Sequence, residues 1–442
     1  MPLLYVPYKK LLVLILGPLF TLNTWCVCSK SPPESDNVDY SSQVGPIKNQ
    51  DTIGWCYAYT SADLLNQYLY LKKGPNHANL DDTVSPISLA LLYNQHKSSD
   101  LFKCDDSLFT RSTPDKKQKH FVEEGGTGCE TLKIALSQNV CLENKMRSAD
   151  YSYVSGINCS TDRKCTLENL LDQLSDNAKG QFTCSDLSAV LLLIPKILPE
   201  SAWEILQSSN RNNILNNLRA INCDFKINQN PPPVPKSLTF DFTKSLYNEN
   251  LGRFILERNN EILFNQMDAK LKEGKVLSIS YFPQFLQNEN FKHKKDATLK
   301  SENAETEDDT HTSTIVGKRF NQNTCEVEYI LKNSWGQGCG SYMKDNSVEK
   351  LGCIAKANGQ MYIDETPEEC KMRIADPIEL DKKECQKYVI YHSDIIKAKT
   401  NCENKYKSVM ANPRLHCEGP GYVFIPKSEL AKNMFGINYL DY

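Results

Sequence analysis

Of the 17 cysteines and seven histidines in this chain of 442 residues, one of each stands in surroundings suited to nucleophilic chemistry. Cys56 lies in Gly54-Trp55-Cys56-Tyr57-Ala58, six residues after Gln50 in Gly45-Pro46-Ile47-Lys48-Asn49-Gln50. His311 lies in Thr310-His311-Thr312-Ser313, and 22 residues later Asn333 opens Asn333-Ser334-Trp335-Gly336. A thiol attacks a carbonyl as its thiolate, so the sulfur needs an imidazole beside it, and the imidazole needs a third group to hold it in one orientation. The side-chain carbonyl of Asn333 can accept an imidazole N–H and fix the tautomer, with Trp335 shielding that bond from water. Each residue also has a plainer reading: a disulfide half for Cys56, a solvated loop residue for Gln50, a surface histidine after Asp308 and Asp309 for His311, an ordinary turn for Asn333. Taken together, with Gly338-Cys339-Gly340 following, they favour a nucleophile, a base and an orienter.

Elements far apart in sequence must carry these groups to one place. From Cys56 onward, Tyr57, Ala58, Ala62, Leu65, Tyr68, Leu69 and Leu71 recur at three- and four-residue steps, which predicts a helix with Cys56 in its first turn. There the positive end of the helix dipole and a nearby imidazolium would draw the thiol pKa from about 8.5 into a range of roughly 3.5 to 7.5. Asp81 to Pro86 offers a cap for a second helix through Leu89 to Leu92, and Gly125-Gly126-Thr127 breaks the chain before another, Thr131 to Gln138. Residues 155 to 255 differ in character. They carry Cys159, Cys165, Cys184 and Cys223, an apolar helical stretch from Leu187 to Ile197, and Pro231-Pro232-Pro233-Val234-Pro235, which favours a stiff extended connector. A helix from Leu256 to Leu271 and a short strand around Val276, Leu277 and Ile279 come next, then a polar loop over 286 to 310. His311 to Val316 and Glu328 to Leu331 read as paired strands with a turn near Asn321 to Thr324, and Gly421 to Ile425 as one last strand.

Composition narrows the setting. The net charge of -3, from 51 basic and 54 acidic residues, offers no basic excess for nucleic acid. Lys9 and Lys10 precede the apolar run Leu11 to Leu22, and Val27 and Ser29 could flank a cut before Lys30, so residues 1 to 29 read as a secretory signal peptide. The run is short for a membrane span and Pro18 interrupts it, leaving an uncleaved anchor as the structural alternative. No stable membrane insertion is expected after signal removal. A secreted, periplasmic or otherwise extracellular location also suits the cysteine count. With Cys26 and Cys28 lost and Cys56 set aside, fourteen cysteines remain, enough for up to seven disulfides with one thiol left free. No Cys-x-x-Cys or His-Glu-x-x-His spacing occurs, which argues against zinc.

The order Cys56, His311, Asn333, with Gln50 ahead of the cysteine and Asn-Ser-Trp-Gly after the histidine, resembles the papain-like cysteine peptidases. The resemblance implies an α+β fold of two lobes, a helical lobe presenting Cys56 and a β-barrel-like lobe presenting His311 and Asn333, elaborated by two large insertions. The expected divisions are a signal peptide at 1–29, a flexible leader at 30–43, the helical lobe at 44–154, an insertion at 155–255 and the β-rich lobe at 256–342. A second insertion follows at 343–416, with Cys353, Cys370, Cys385 and Cys402, and 417–442 supplies the last strand and C-terminus of the β-rich lobe. It further implies an oxyanion hole from the Gln50 side chain and the Cys56 backbone amide, and a substrate strand bound by the backbone of Gly125 and Gly126. The implied reaction is hydrolysis of a polypeptide substrate through a thioester, with neither metal nor cofactor.

Several positions depart from that family. From Cys56 to His311 is 255 residues, against about 130 to 150 in the family pattern. Ile53 and Glu123 stand where the family pairs two cysteines, Trp55 replaces a small residue, Asp51 replaces a glycine, and no long pro-segment fits before Cys56. Asp309 near the specificity pocket would suggest a basic substrate side chain. A catalytically inactive extracellular binding module on the same scaffold, and an acyl transferase using the same three residues, are the alternatives. The oligomeric state is left open.

Overall fold

In the segment LSISY, Leu277, Ile279 and Tyr281 alternate with Ser278 and Ser280, and all five residues are buried. Such a strand needs partners on both edges and cover on both faces. The computed structural model supplies them, describing residues 37–50, 53–104, 125–148, 167–176, 179–227, 230–239, 249–281, 283–286, 310–336, 415–418 and 421–442. The structure is mixed α+β, helices first and an antiparallel sheet after.

The helices are α1 (Cys56–Lys73), α2 (Pro86–His96), α3 (Gly128–Ser137), α4 (Leu167–Ser175), α5 (Cys184–Leu193), α6 (Pro199–Ser208), α7 (Ile214–Asn222), α8 (Glu249–Lys272) and α9 (Lys427–Asn433). The strands are β1 (Val38–Asp39), β2 (Asn139–Val140), β3 (Phe225–Lys226), β4 (Val234–Thr239), β5 (Leu277–Tyr281), β6 (His311–Asn321), β7 (Glu326–Lys332), β8 (His416–Glu418), β9 (Tyr422–Pro426) and β10 (Met434–Asp441). Seven strands run in the order β4-β10-β5-β6-β7-β9-β8, and β1 adds to the far part of β6. A Cβ on Gly317 would come 2.2 Å from the Val38 carbonyl oxygen across that pairing, which reserves the position for glycine.

Two cores hold the sheet. On one face Leu277, Ile279, Ile315, Tyr329, Leu331, Val423, Ile425 and Ile437 pack on Leu263, Phe264, Met267 and Leu271 of α8. On the other, Val316, Ile330, Phe424 and Leu440 join the core of the helical part, including Ala62, Leu65, Tyr68 and Leu69 of α1. Ser85 caps α2 by accepting the Ser88 N–H at 3.3 Å, with Pro86 at the first helical position.

Several expectations change. The barrel-like closure is not seen among the described residues, because β4 and β8 remain separate edges of an open sheet. Residues 37 to 43 are not leader: β1 pairs with β6, and the Tyr40 hydroxyl donates to the Leu271 carbonyl at 2.9 Å. The helices α4 to α7, placed in an insertion at 155–255, share one continuous core with α1, α2 and α3. The Cys141–Cys223 disulfide ties the end of α7 to the helical part. The proline run leads directly into β4, which pairs with β10; Pro235 is tolerated there because β4 is an edge. The helix expected from Leu256 starts at Glu249, and Gly421 to Ile425 is not the last strand, since β10 follows and lies between β4 and β5. Cys184 is a free exposed thiol beside the free Cys56, while Cys104–Cys129 forms the other described pair, so the expectation of a single free thiol fails. The signal peptide, most of the loop at 286 to 310 and nearly all of 343–416 lie outside the described residues. No helix among the described residues is long and apolar enough to cross a membrane.

Ile437 is 1 % exposed in β10 and faces α8. Ile437→Ala is expected to cost about 2 to 5 kcal/mol, read as a lower urea midpoint at unchanged slope.

Candidate active site

Cys56 is the first residue of α1. Trp55 before it occupies the cap position at φ -107° and ψ 19° without a side-chain cap, and its carbonyl receives the Ala58 N–H at 2.8 Å. Trp55 itself is fully buried in the helical core. His311 is the first residue of β6, opposite Tyr281 of β5, and Asn333 follows the last residue of β7. The register pairs Thr314 with Lys332, which brings the histidine-bearing end of β6 level with the asparagine.

The imidazole Nε2 of His311 lies 2.8 Å from Asn333 Oδ1, with both residues buried. Trp335 lies beside the imidazole, tilted by 31° at 4.4 Å between ring centroids, and Tyr281 meets it edge-on at 5.7 Å. Asn333 Oδ1 also accepts the Ser313 hydroxyl at 3.2 Å and the Ser334 backbone N–H at 2.8 Å. The Ser313 oxygen is 2.9 Å from the Tyr281 hydroxyl. An acceptor at Oδ1 makes Nε2 the protonated nitrogen of a neutral imidazole, so Nδ1 is the one that can take a proton from sulfur. Cys56 is partly exposed. Burial pushes its thiol pKa up, but the His311 charge and hydrogen bonds from His311 and Thr312 outweigh this and bring it from 9.0 to about 7.

Gln50 is held from three directions. Its backbone N–H donates to the Ser334 carbonyl at 2.8 Å, its Oε1 accepts the Ser334 hydroxyl, and its Nε2 donates to the Ile53 carbonyl at 2.8 Å. Among the described residues, no partner takes the second Nε2 hydrogen. Asn49 and Trp335 form a β-bridge and the Gly336 N–H donates to Lys48 O at 3.1 Å, so the Gln50 loop is zipped to the Asn333 loop.

Gly125 and Gly126 are exposed, and the Gly125 N–H donates to the Gly54 carbonyl at 3.0 Å, two residues from Cys56. A Cβ on Gly126 would come within 2.7 Å of the Tyr57 ring and 2.8 Å of Tyr93. The structure thus brings His311, Asn333 and Trp335 together, ties the Gln50 loop to theirs, and joins Gly125 to the chain two residues before Cys56. Asp51, Glu123, Asp309 and Gly338 to Gly340 lie outside the described residues. Missed from sequence were Ser313, Ser334, Tyr281 and two buried ion pairs, Lys48–Glu143 at 2.6 Å and Lys332–Asp63 at 2.6 Å. Their signal was present: Lys48 and Lys332 flank the two motifs, and the Thr-Ser-Thr run after His311 is too polar for an ordinary buried strand. Among the described residues, no group of three or more His, Cys, Asp or Glu is arranged to hold a metal ion. No protein-family model matches the chain, and no curated protein matches it.

In a Cys184→Ser background, which removes the other described free thiol, the rate of Cys56 alkylation by iodoacetamide should rise with pH through a midpoint near 7. His311→Ala withdraws the charge and hydrogen bond that favour the thiolate. Its midpoint should move up towards 9.0, and the rate at pH 6 should fall.

Proposed function

We propose that this chain is a papain-like cysteine peptidase that hydrolyses peptide bonds through a thioester acyl-enzyme. One observation carries the reading: the His311 imidazole is held 2.8 Å from the Asn333 carbonyl oxygen, and together with Thr312 it draws the Cys56 thiol down to about 7. His311 Nδ1 takes the thiol proton, and the thiolate attacks the substrate carbonyl carbon. The oxyanion that forms is met by the free Nε2 hydrogen of Gln50 and the Cys56 backbone N–H. His311 then protonates the leaving amine, and water activated by the same imidazole hydrolyses the thioester. The exposed backbone of Gly125 and Gly126 lets an extended peptide approach without a side chain in its way. The disulfides Cys104–Cys129 and Cys141–Cys223 support an oxidising compartment, in keeping with export.

Purified protein is assayed on a library of quenched fluorescent peptides. Cys56→Ala should abolish cleavage while the circular dichroism spectrum stays that of the parent, and retained turnover would sink the proposal. Gln50→Ala, which removes one oxyanion donor, should lower kcat by about 100- to 1000-fold. An added amine acceptor distinguishes the transferase alternative, which would yield the amine adduct in place of the free acid.

A further inference from the structure

One face of α1 carries a row of polar side chains. Cys56, Thr60, Asp63 and Gln67 recur at steps of four, three and four, which aligns them along the helix. The first three face the strand of His311, and Gln67 meets the segment that leads into β5. Cys56 has its thiol drawn down by His311, Thr60 Oγ1 lies 3.5 Å from Thr312 Oγ1, and Asp63 Oδ2 accepts the Thr314 hydroxyl at 2.9 Å. Gln67 takes the Val276 N–H at 2.7 Å and donates to Gly274 O at 3.0 Å. Asp63 reaches a second strand as well, through its 2.6 Å ion pair with Lys332, the residue before Asn333.

We infer that Asp63 is a positioning residue: it clamps the strand of His311 and the strand leading into Asn333 onto the helix of Cys56, and so sets the contact between sulfur and imidazole. The inference rests on the peptidase reading above. Thr314 is fully buried, and Asp63 and Lys332 are nearly so, which leaves little water to replace these contacts. Lys332 Nζ also donates to Val44 O at 3.1 Å. A cavity of about 10 Å³ is lined by Lys48, Tyr59, Asp63, Lys332, Asn333 and Ser334, so the clamp borders the orienting amide itself. The charged groups around it are Lys48, held by Glu143, together with Lys332 and Asp63. Burial pushes the Lys332 ammonium below its usual range, Asp63 draws it back up, and Lys48 adds to the fall. Asp63 is thus the group that holds that cation in place.

The experiment separates positioning from stability. Removing Asp63 alone strands a buried cation, so the pair is replaced together by Asp63→Leu with Lys332→Met, in the Cys184→Ser background. Replacing a buried ion pair by apolar residues of similar size is commonly neutral or stabilising. The folded double variant, checked by its urea transition, is expected to raise the Cys56 alkylation midpoint by about one pH unit or more. Its kcat is expected to fall about 100-fold with KM little changed. Through space, loss of the carboxylate would lower the thiol midpoint and loss of the ammonium would raise it, so the two oppose in the double variant, and a rise accompanied by the fall in kcat reports a displaced imidazole. A midpoint and kcat equal to those of the parent in a folded double variant overturn the inference. Should that variant not fold, Thr314→Val decides: a smaller upward shift supports the clamp, and an unchanged midpoint rejects it. A parent protein with a midpoint near 7 that cleaves no peptide would overturn the peptidase reading, while the alkylation profile would still report on Asp63.

Discussion

The chemistry of the site turns on which end of the Asn333 amide faces His311. Oδ1 receives three donors, His311 Nε2–H, Ser313 Oγ–H and Ser334 N–H, and the last is fixed by the backbone. Nδ2, by contrast, is buried without a hydrogen-bond partner among the described residues. Leaving such a donor unmet costs about 1 to 3 kcal/mol, so three good bonds at one end are set against a penalty at the other. Turning the amide over would confront the Ser334 N–H with another donor. The imidazole therefore keeps its proton on the asparagine side and its lone pair on the sulfur side.

Ser334 joins this orientation to the other half of the site. Its N–H serves Asn333, its carbonyl receives the Gln50 N–H, and its hydroxyl donates to Gln50 Oε1. The amide that steers the base and the amide suited to meet an oxyanion are thus registered through one residue. The two loops concerned lie more than 280 positions apart in the chain. This is the kind of cross-support that catalytic groups need if they are to be held within a fraction of an ångström.

The candidate residues were legible because each sits where a local pattern breaks: Cys56 where an apolar helical repeat begins, His311 where a polar loop gives way to a strand, Asn333 where that strand's partner ends. The residues that hold them were not, for a physical reason. Asp63, Lys332 and Thr314 are polar types that belong by default to a solvated face, and only their mutual contacts make burial tolerable. The architecture was legible in part. A proline run and a cysteine-bearing stretch suggested an appendage, but whether α4 to α7 share a core with α1 depends on contacts that no local pattern records. β10 was overlooked because Met434 to Asp441 follows a short helix without the turn residues that usually announce a strand.

The place of β10 has a consequence for biogenesis. It is made after every other strand of the sheet, yet it lies in the interior, between β4 and β5. Until residues 434 to 441 leave the ribosome, β5 keeps one edge bare along the segment LSISY, next to the strand that bears His311. A bare edge of that composition is a template for pairing with other chains. The nascent polypeptide thus completes the sheet that carries His311 late, and a prematurely terminated one exposes an adhesive ribbon.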